Sequence, residues 1–141
     1  MTTTTNKKRP NGKSGWDKVK RDLTPTETQE QKMLFAWAKL NERKYPELAL
    51  LFHIPNEGKR SKRVGHELVE MGMKKGVPDV CLPVPNAVYA ALYIEMKRSN
   101  GGRASEDQKG WLAALNRVGN RAVVCYGFED ARKVILEYLR R

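Results

Sequence analysis

The sequence predicts a single α/β domain, a mixed β-sheet flanked by helices. Apolar runs of strand length alternate with segments of helical periodicity, and Gly, Pro or Asn stands at nearly every junction. The length of 141 residues suits one compact domain and is too short for two ordinary ones.

Residues 1–24 carry seven Lys or Arg and few large apolar side chains, so 1–23 is expected to be a flexible basic arm and 24–141 the folded domain. From Thr24 the chain reads as a helix, with Thr24 as N-cap, Pro25 in the first helical position and Glu27 closing a capping box. Met33, Leu34, Trp37 and Leu40 form its apolar face, and Pro46 ends it. Leu48 to Ile54 reads as a strand, and Val64 to Met71 as a short helix stopped by Gly72. Gly76 to Asp79 turns into the strand Val80 to Leu82, which Pro83 and Pro85 should keep from pairing centrally. Asn86 turns the chain into a second strand, VYAALYIEMK. Ser105 then opens a helix with Gln108 in its capping box, and it carries Trp111, Leu112 and Leu115. Arg121 to Tyr126 is a β-branched strand and Glu129 to Leu139 a final amphipathic helix.

The formal net charge is +11, from 27 Lys plus Arg against 16 Asp plus Glu. Such an excess points to a polyanion partner, because neutralising phosphates releases counterions. No apolar stretch reaches the roughly 18 residues of a membrane span, and the threonine-rich start does not read as a signal peptide. A cytoplasmic protein is expected. Cys81 and Cys125 lie in apolar segments with no CxxC partner, which reads as two buried free thiols.

Glu95 and Lys97 lie two apart in a strand and therefore project from one face. Two charges at the end of an apolar strand cost desolvation unless paired or bound to an ion. Asp79 stands sixteen positions earlier, and a hairpin turning near Pro85-Asn86 brings it beside Glu95. Two carboxylates meeting there make a hard oxygen site suited to Mg²⁺ or Mn²⁺, and a lysine beside the metal can orient a water for attack on a phosphodiester. The simpler readings are a strand-end salt bridge for Glu95 and Lys97 and a turn residue for Asp79. Pro-Asp followed by Glu-x-Lys recurs in roughly one chain in 30 to 50. The pattern therefore draws its weight from its place across a hairpin in a basic chain. Glu27 and Gln31 share a helix face and could address the same site. For His53 and His66, core packing or DNA contact is favoured over catalysis. Lys59, Arg60, Lys62, Arg63, Lys74 and Lys75, with Arg98 beyond Lys97, form a candidate phosphate-binding track.

The series TETQEQ, HIPNEGKR, GVPDVCLP, YIEMKR, SEDQKGWL and VVCYGFEDA resembles the VRR-NUC domains, a branch of the PD-(D/E)xK nucleases, from about Pro25 to Tyr138. The resemblance implies a restriction-endonuclease-like fold and a metal-dependent DNA endonuclease. It matches Asp79 to the PD aspartate, Glu95 and Lys97 to the ExK pair, and Glu27 to a first-helix metal ligand, with Glu30 a weaker match. It also adds Gln108 as a supporting residue and the Met96 carbonyl as a metal ligand. The compact phage and bacterial members are similar to homodimeric Holliday-junction resolvases, which implies a homodimer acting on branched DNA. A monomeric flap- or end-directed nuclease and a non-catalytic DNA-binding module are the alternatives. Glu57, where a small residue is frequent, is a departure from the family pattern.

Overall fold

The computed structural model describes residues 22–56 and 61–140. Along them lie α1 (Glu27–Asn41), a 3₁₀ helix (Pro46–Leu50), β1 (Phe52–His53), α2 (Lys62–Glu70), β2 (Val80–Leu82), β3 (Leu92–Lys97), α3 (Glu106–Arg117), β4 (Arg121–Tyr126) and α4 (Phe128–Leu139). The sheet order is β1-β2-β3-β4, antiparallel across the first two junctions and parallel between β3 and β4. A parallel neighbour needs a crossover, and α3 supplies it.

Alternation along β3 divides the molecule into layers. Leu92, Ile94 and Met96 join Leu34 and Ala38 of α1 and Ala131, Ile135 and Tyr138 of α4 in one core. Glu95 and Lys97 point the other way, toward α3. The start of α4 lies at Gly127, whose φ of +87° suits glycine. With no side-chain cap of its own, α4 borrows one: Glu30 of α1 accepts a 2.6 Å hydrogen bond from the Phe128 amide. Glu30 is thereby buried and occupied away from Asp79.

Several local expectations are corrected. The N-cap of α1 is Thr26, and the capping box closes on Gln29, which leaves Glu27 free of it. Thr24 instead donates its amide to Asp22 and offers its carbonyl to Arg98. The helix stops at Asn41, before Pro46, and its apolar face is Leu34 and Ala38, while Met33 and Leu40 are exposed. Leu48 to Ile54 is mostly not strand. Pro46 starts a 3₁₀ turn, closed by Leu48 and Leu51 amide bonds, so only Phe52–His53 pair. His53 is exposed rather than packed in a core. β2 does pair on both sides, because Pro83 and Pro85 fall beyond its last residue. Residues 88–91 stay outside β3: Asn86 Oδ1 accepts from the amides of Val88 and Tyr89 and holds them in a turn.

Gly76 permits a close approach of α3 to the turn before β2. Its φ is +86°, and a Cβ there would lie 2.6 Å from the main-chain carbon of Asp107 in the first turn of α3. Gly76→Ala therefore combines a disfavoured dihedral with a backbone clash, and should cost about 2 kcal/mol or more. Urea unfolding measures this; an unchanged midpoint would mean that α3 does not press on this turn.

Candidate active site

The β2–β3 register pairs Val80 with Ile94, so one step further sets Asp79 opposite Glu95. Asp79 Oδ2 accepts a 2.7 Å hydrogen bond from the Met96 amide, which ties its carboxylate across the hairpin. Its carbonyl accepts from the Ile54 amide at 2.8 Å and contacts His53 Nδ1 at 2.7 Å. The turn leading to it is braced by Trp111, whose Nε1 donates to the Lys75 carbonyl at 3.0 Å.

Glu95 is 2% exposed and Lys97 7%. Their side chains meet at 3.2 Å between Oε1 and Nζ. Gln108 joins both: Nε2 donates to Glu95 Oε1 at 2.6 Å, and Oε1 accepts from Lys97 at 3.2 Å. The same Gln108 Oε1 accepts from the Ser105 amide, completing the capping box of α3. The cap of α3 and the contact with Glu95 and Lys97 are thus one arrangement.

The second oxygen of Glu95 is buried and receives no N–H among the described residues, and the Glu95 carboxyl shares a hydrogen bond with that of Asp79, which needs a proton on one of them. Burial, and then the negative charge of Asp79, push the Glu95 carboxyl up to about 7; Lys97 opposes the shift. Two carboxyl groups in contact through a shared proton suit a hard cation that would replace it. Among the described residues no three His, Cys, Asp or Glu side chains stand together as a ready-made cluster. Glu27 and Gln31 line a pocket of about 220 Å³ with Thr28, His53, Asn56, Asp79 and Met96. Glu27 thus borders the space beside Asp79.

The expected basic track is only partly described. Lys59 and Arg60, like Glu57 and residues 1–21 of the arm, lie outside the described residues. Lys62, Arg63, Lys74 and Lys75 are exposed; Arg63 reaches Glu67 at 3.8 Å and Lys75 reaches Asp107 at 3.6 Å. Arg98 has a different commitment. Its guanidinium donates to Asp22 Oδ2, the Thr24 carbonyl and the Pro25 carbonyl at 2.8, 2.8 and 3.3 Å. It straps the entry of α1, and so Glu27, to the end of β3. His66, on the exposed side of α2, faces Glu70. Cys81 and Cys125 are free and buried, and burial raises the Cys125 thiol to about 12. Sequence reasoning did not single out Thr28 or Asn56 as pocket residues. The one available signal was HIPN, where proline ends an edge strand and leaves polar neighbours exposed.

The VRR-NUC domain model matches residues 21–129. The chain belongs to the VRR-NUC family. A solved structure of a VRR_NUC domain protein superposes with a TM-score of 0.72 at 27% identity, over 82% of this chain and 89% of that one. No curated protein matches the chain. The fold is therefore that of an α/β nuclease, and the VRR-NUC domain makes the chain a member of a nuclease family whose domains generally use divalent metals and act on DNA. No helix among the described residues is long and apolar enough to cross a membrane.

The raised Glu95 carboxyl has a consequence for stability without metal. A group that holds its proton more tightly when folded favours folding below its ordinary value of 4.5, and that contribution is lost as pH rises through about 7. Glu95→Gln keeps the shape and can donate to Asp79. In EDTA it should match the wild type near pH 4 and exceed it at pH 8 by on the order of 3 kcal/mol. Parallel melts across pH measure the gap; a gap independent of pH would mean that Glu95 is not destabilised by its surroundings.

Proposed function

We propose that the VRR-NUC domain is a Mg²⁺- or Mn²⁺-dependent DNA endonuclease, selective for branched DNA and acting as a homodimer. The buried Glu95 carboxyl in contact with that of Asp79 carries the reading. Two ionised carboxylates in contact repel, and a cation held between them offsets that cost. Asp79, Glu95 and the Met96 carbonyl would hold the ion, with Glu27 approaching from α1. A bound ion of this kind polarises a phosphoryl oxygen and lowers the pKa of water.

The chain's own residues do the rest. Lys97 presents an ammonium beside the carboxylates, where it orients the attacking water and offsets developing charge on the phosphate. Gln108 holds Lys97 and Glu95 in register from α3. Exposed Lys62, Arg63, Lys74 and Lys75, with the basic residues of 1–21, supply phosphate contacts without sequence information.

Cleavage of linear duplex, flap, splayed-arm and four-way-junction DNA, with Mg²⁺ or Mn²⁺ and with EDTA, tests this reading. Asp79→Ala and Glu95→Ala should abolish cutting but leave DNA binding intact, since each removes negative charge. Lys97→Ala should lower the single-turnover rate by roughly 10² or more. Near wild-type cutting by either carboxylate variant would place the chemistry elsewhere.

The dimer has support in α2, which buries no residue and exposes Val64 and Val69, with Met71 exposed at its C-cap. A two-fold dimer gives the two sites that paired incision of a four-way junction needs. Light scattering should return twice the chain mass, and a cruciform plasmid should be cut as a pair of nicks. A strict monomer preferring flaps would overturn the junction reading and leave the nuclease standing.

A further inference from the structure

We infer that His53 is a positioning residue for Asp79, holding the carboxylate where it can share an ion with Glu95; this rests on the nuclease reading above. The argument begins at the edge of the sheet. Extending the β1–β2 register by one step pairs Ile54 with Asp79. The ladder cannot run on from there, because Pro55 and Pro78 have no amide hydrogen to donate. On the β1 side, the Asp79 carbonyl is held by the Ile54 amide at 2.8 Å and by the His53 ring at 2.7 Å.

Burial does not explain this histidine, for both residues of β1 are exposed. Its ring lines the pocket that Glu27, Asp79 and Met96 also line. A carbonyl oxygen only accepts, so Nδ1 carries the hydrogen, and in the neutral ring Nε2 is the acceptor. Asp79 is thus pinned at two ends, its carbonyl from β1 and its carboxylate by the Met96 amide of β3. Without the ring the Asp79 carbonyl keeps only the Ile54 amide, which leaves the Gly76 to Asp79 turn more freely placed, and a displacement of about 1 Å can cost roughly 10²-fold in rate.

Mn²⁺ titrated onto the full chain, read by the paramagnetic signal of the free ion, tests this beside single-turnover cleavage. Asp79→Ala should lose Mn²⁺ binding. His53→Ala should weaken it about tenfold and slow cleavage by roughly 10- to 100-fold, with DNA affinity and melting temperature unchanged. His53→Asn sets an amide donor near the place of Nδ1 and should recover most of both losses. His53→Gln sets its amide near Nε2 and should recover neither. Wild-type behaviour in His53→Ala, or rescue by Gln and not Asn, would overturn the assignment while the nuclease reading stands. Absence of Mn²⁺ binding in the wild type, or full binding by Asp79→Ala, would remove the metal site and the role of His53 with it.

Discussion

Everything at the candidate site depends on one energetic conflict, two carboxylates brought face to face at a largely buried strand end. Equal arms on either side of the β2–β3 connection set Asp79 opposite Glu95, and like charges there repel in a medium that screens them poorly. The fold answers from three directions. Lys97 supplies opposite charge from the same strand, Gln108 donates from α3, and the Met96 amide binds Asp79 across the hairpin. Without a cation the Glu95–Asp79 pair holds on to a proton up to about pH 7.

The helices serve this point more than they cover it. α3 buries none of its residues fully, yet its first turn must reach the strand end for Gln108 to act. Gly76 makes room for that approach, and Trp111, one helical turn beyond Gln108, grips the Lys75 carbonyl of the same turn. On the opposite face, Arg98 draws the segment before α1 onto β3. α1 and α4 are locked together by the Glu30 carboxylate on the Phe128 amide. The pocket thus lies between elements whose relative placement is set by hydrogen bonds near their termini, where unpaired main-chain groups are available.

α2 stands apart from this economy. Its apolar residues contribute nothing to the core, and its basic residues are exposed. For the homodimer proposed above, α2 offers an exposed apolar surface.

The sequence by itself determined the class of the fold and the meeting of Asp79, Glu95 and Lys97 at one strand end. Alternation puts Glu95 and Lys97 on one face, and the turn at Asn86 returns Asp79 to them; these are short-range periodicities, which a chain carries in its own order. The order of residues also located β4 at Arg121 to Tyr126 and α3 behind Ser105. Only the tertiary structure decided what depended on partners distant in the chain. Thr24 lost the N-cap to Thr26, and its carbonyl went to Arg98, 74 positions away. Leu48 to Ile54 had strand composition, but β2 is only three residues long and offered it a two-residue ladder. Arg98 and His53 read locally as a surface cation and an apolar-strand histidine. Their hydrogen bonds to main-chain carbonyls across the fold are invisible to periodicity, because every residue offers the same carbonyl and only folding selects which one a side chain meets.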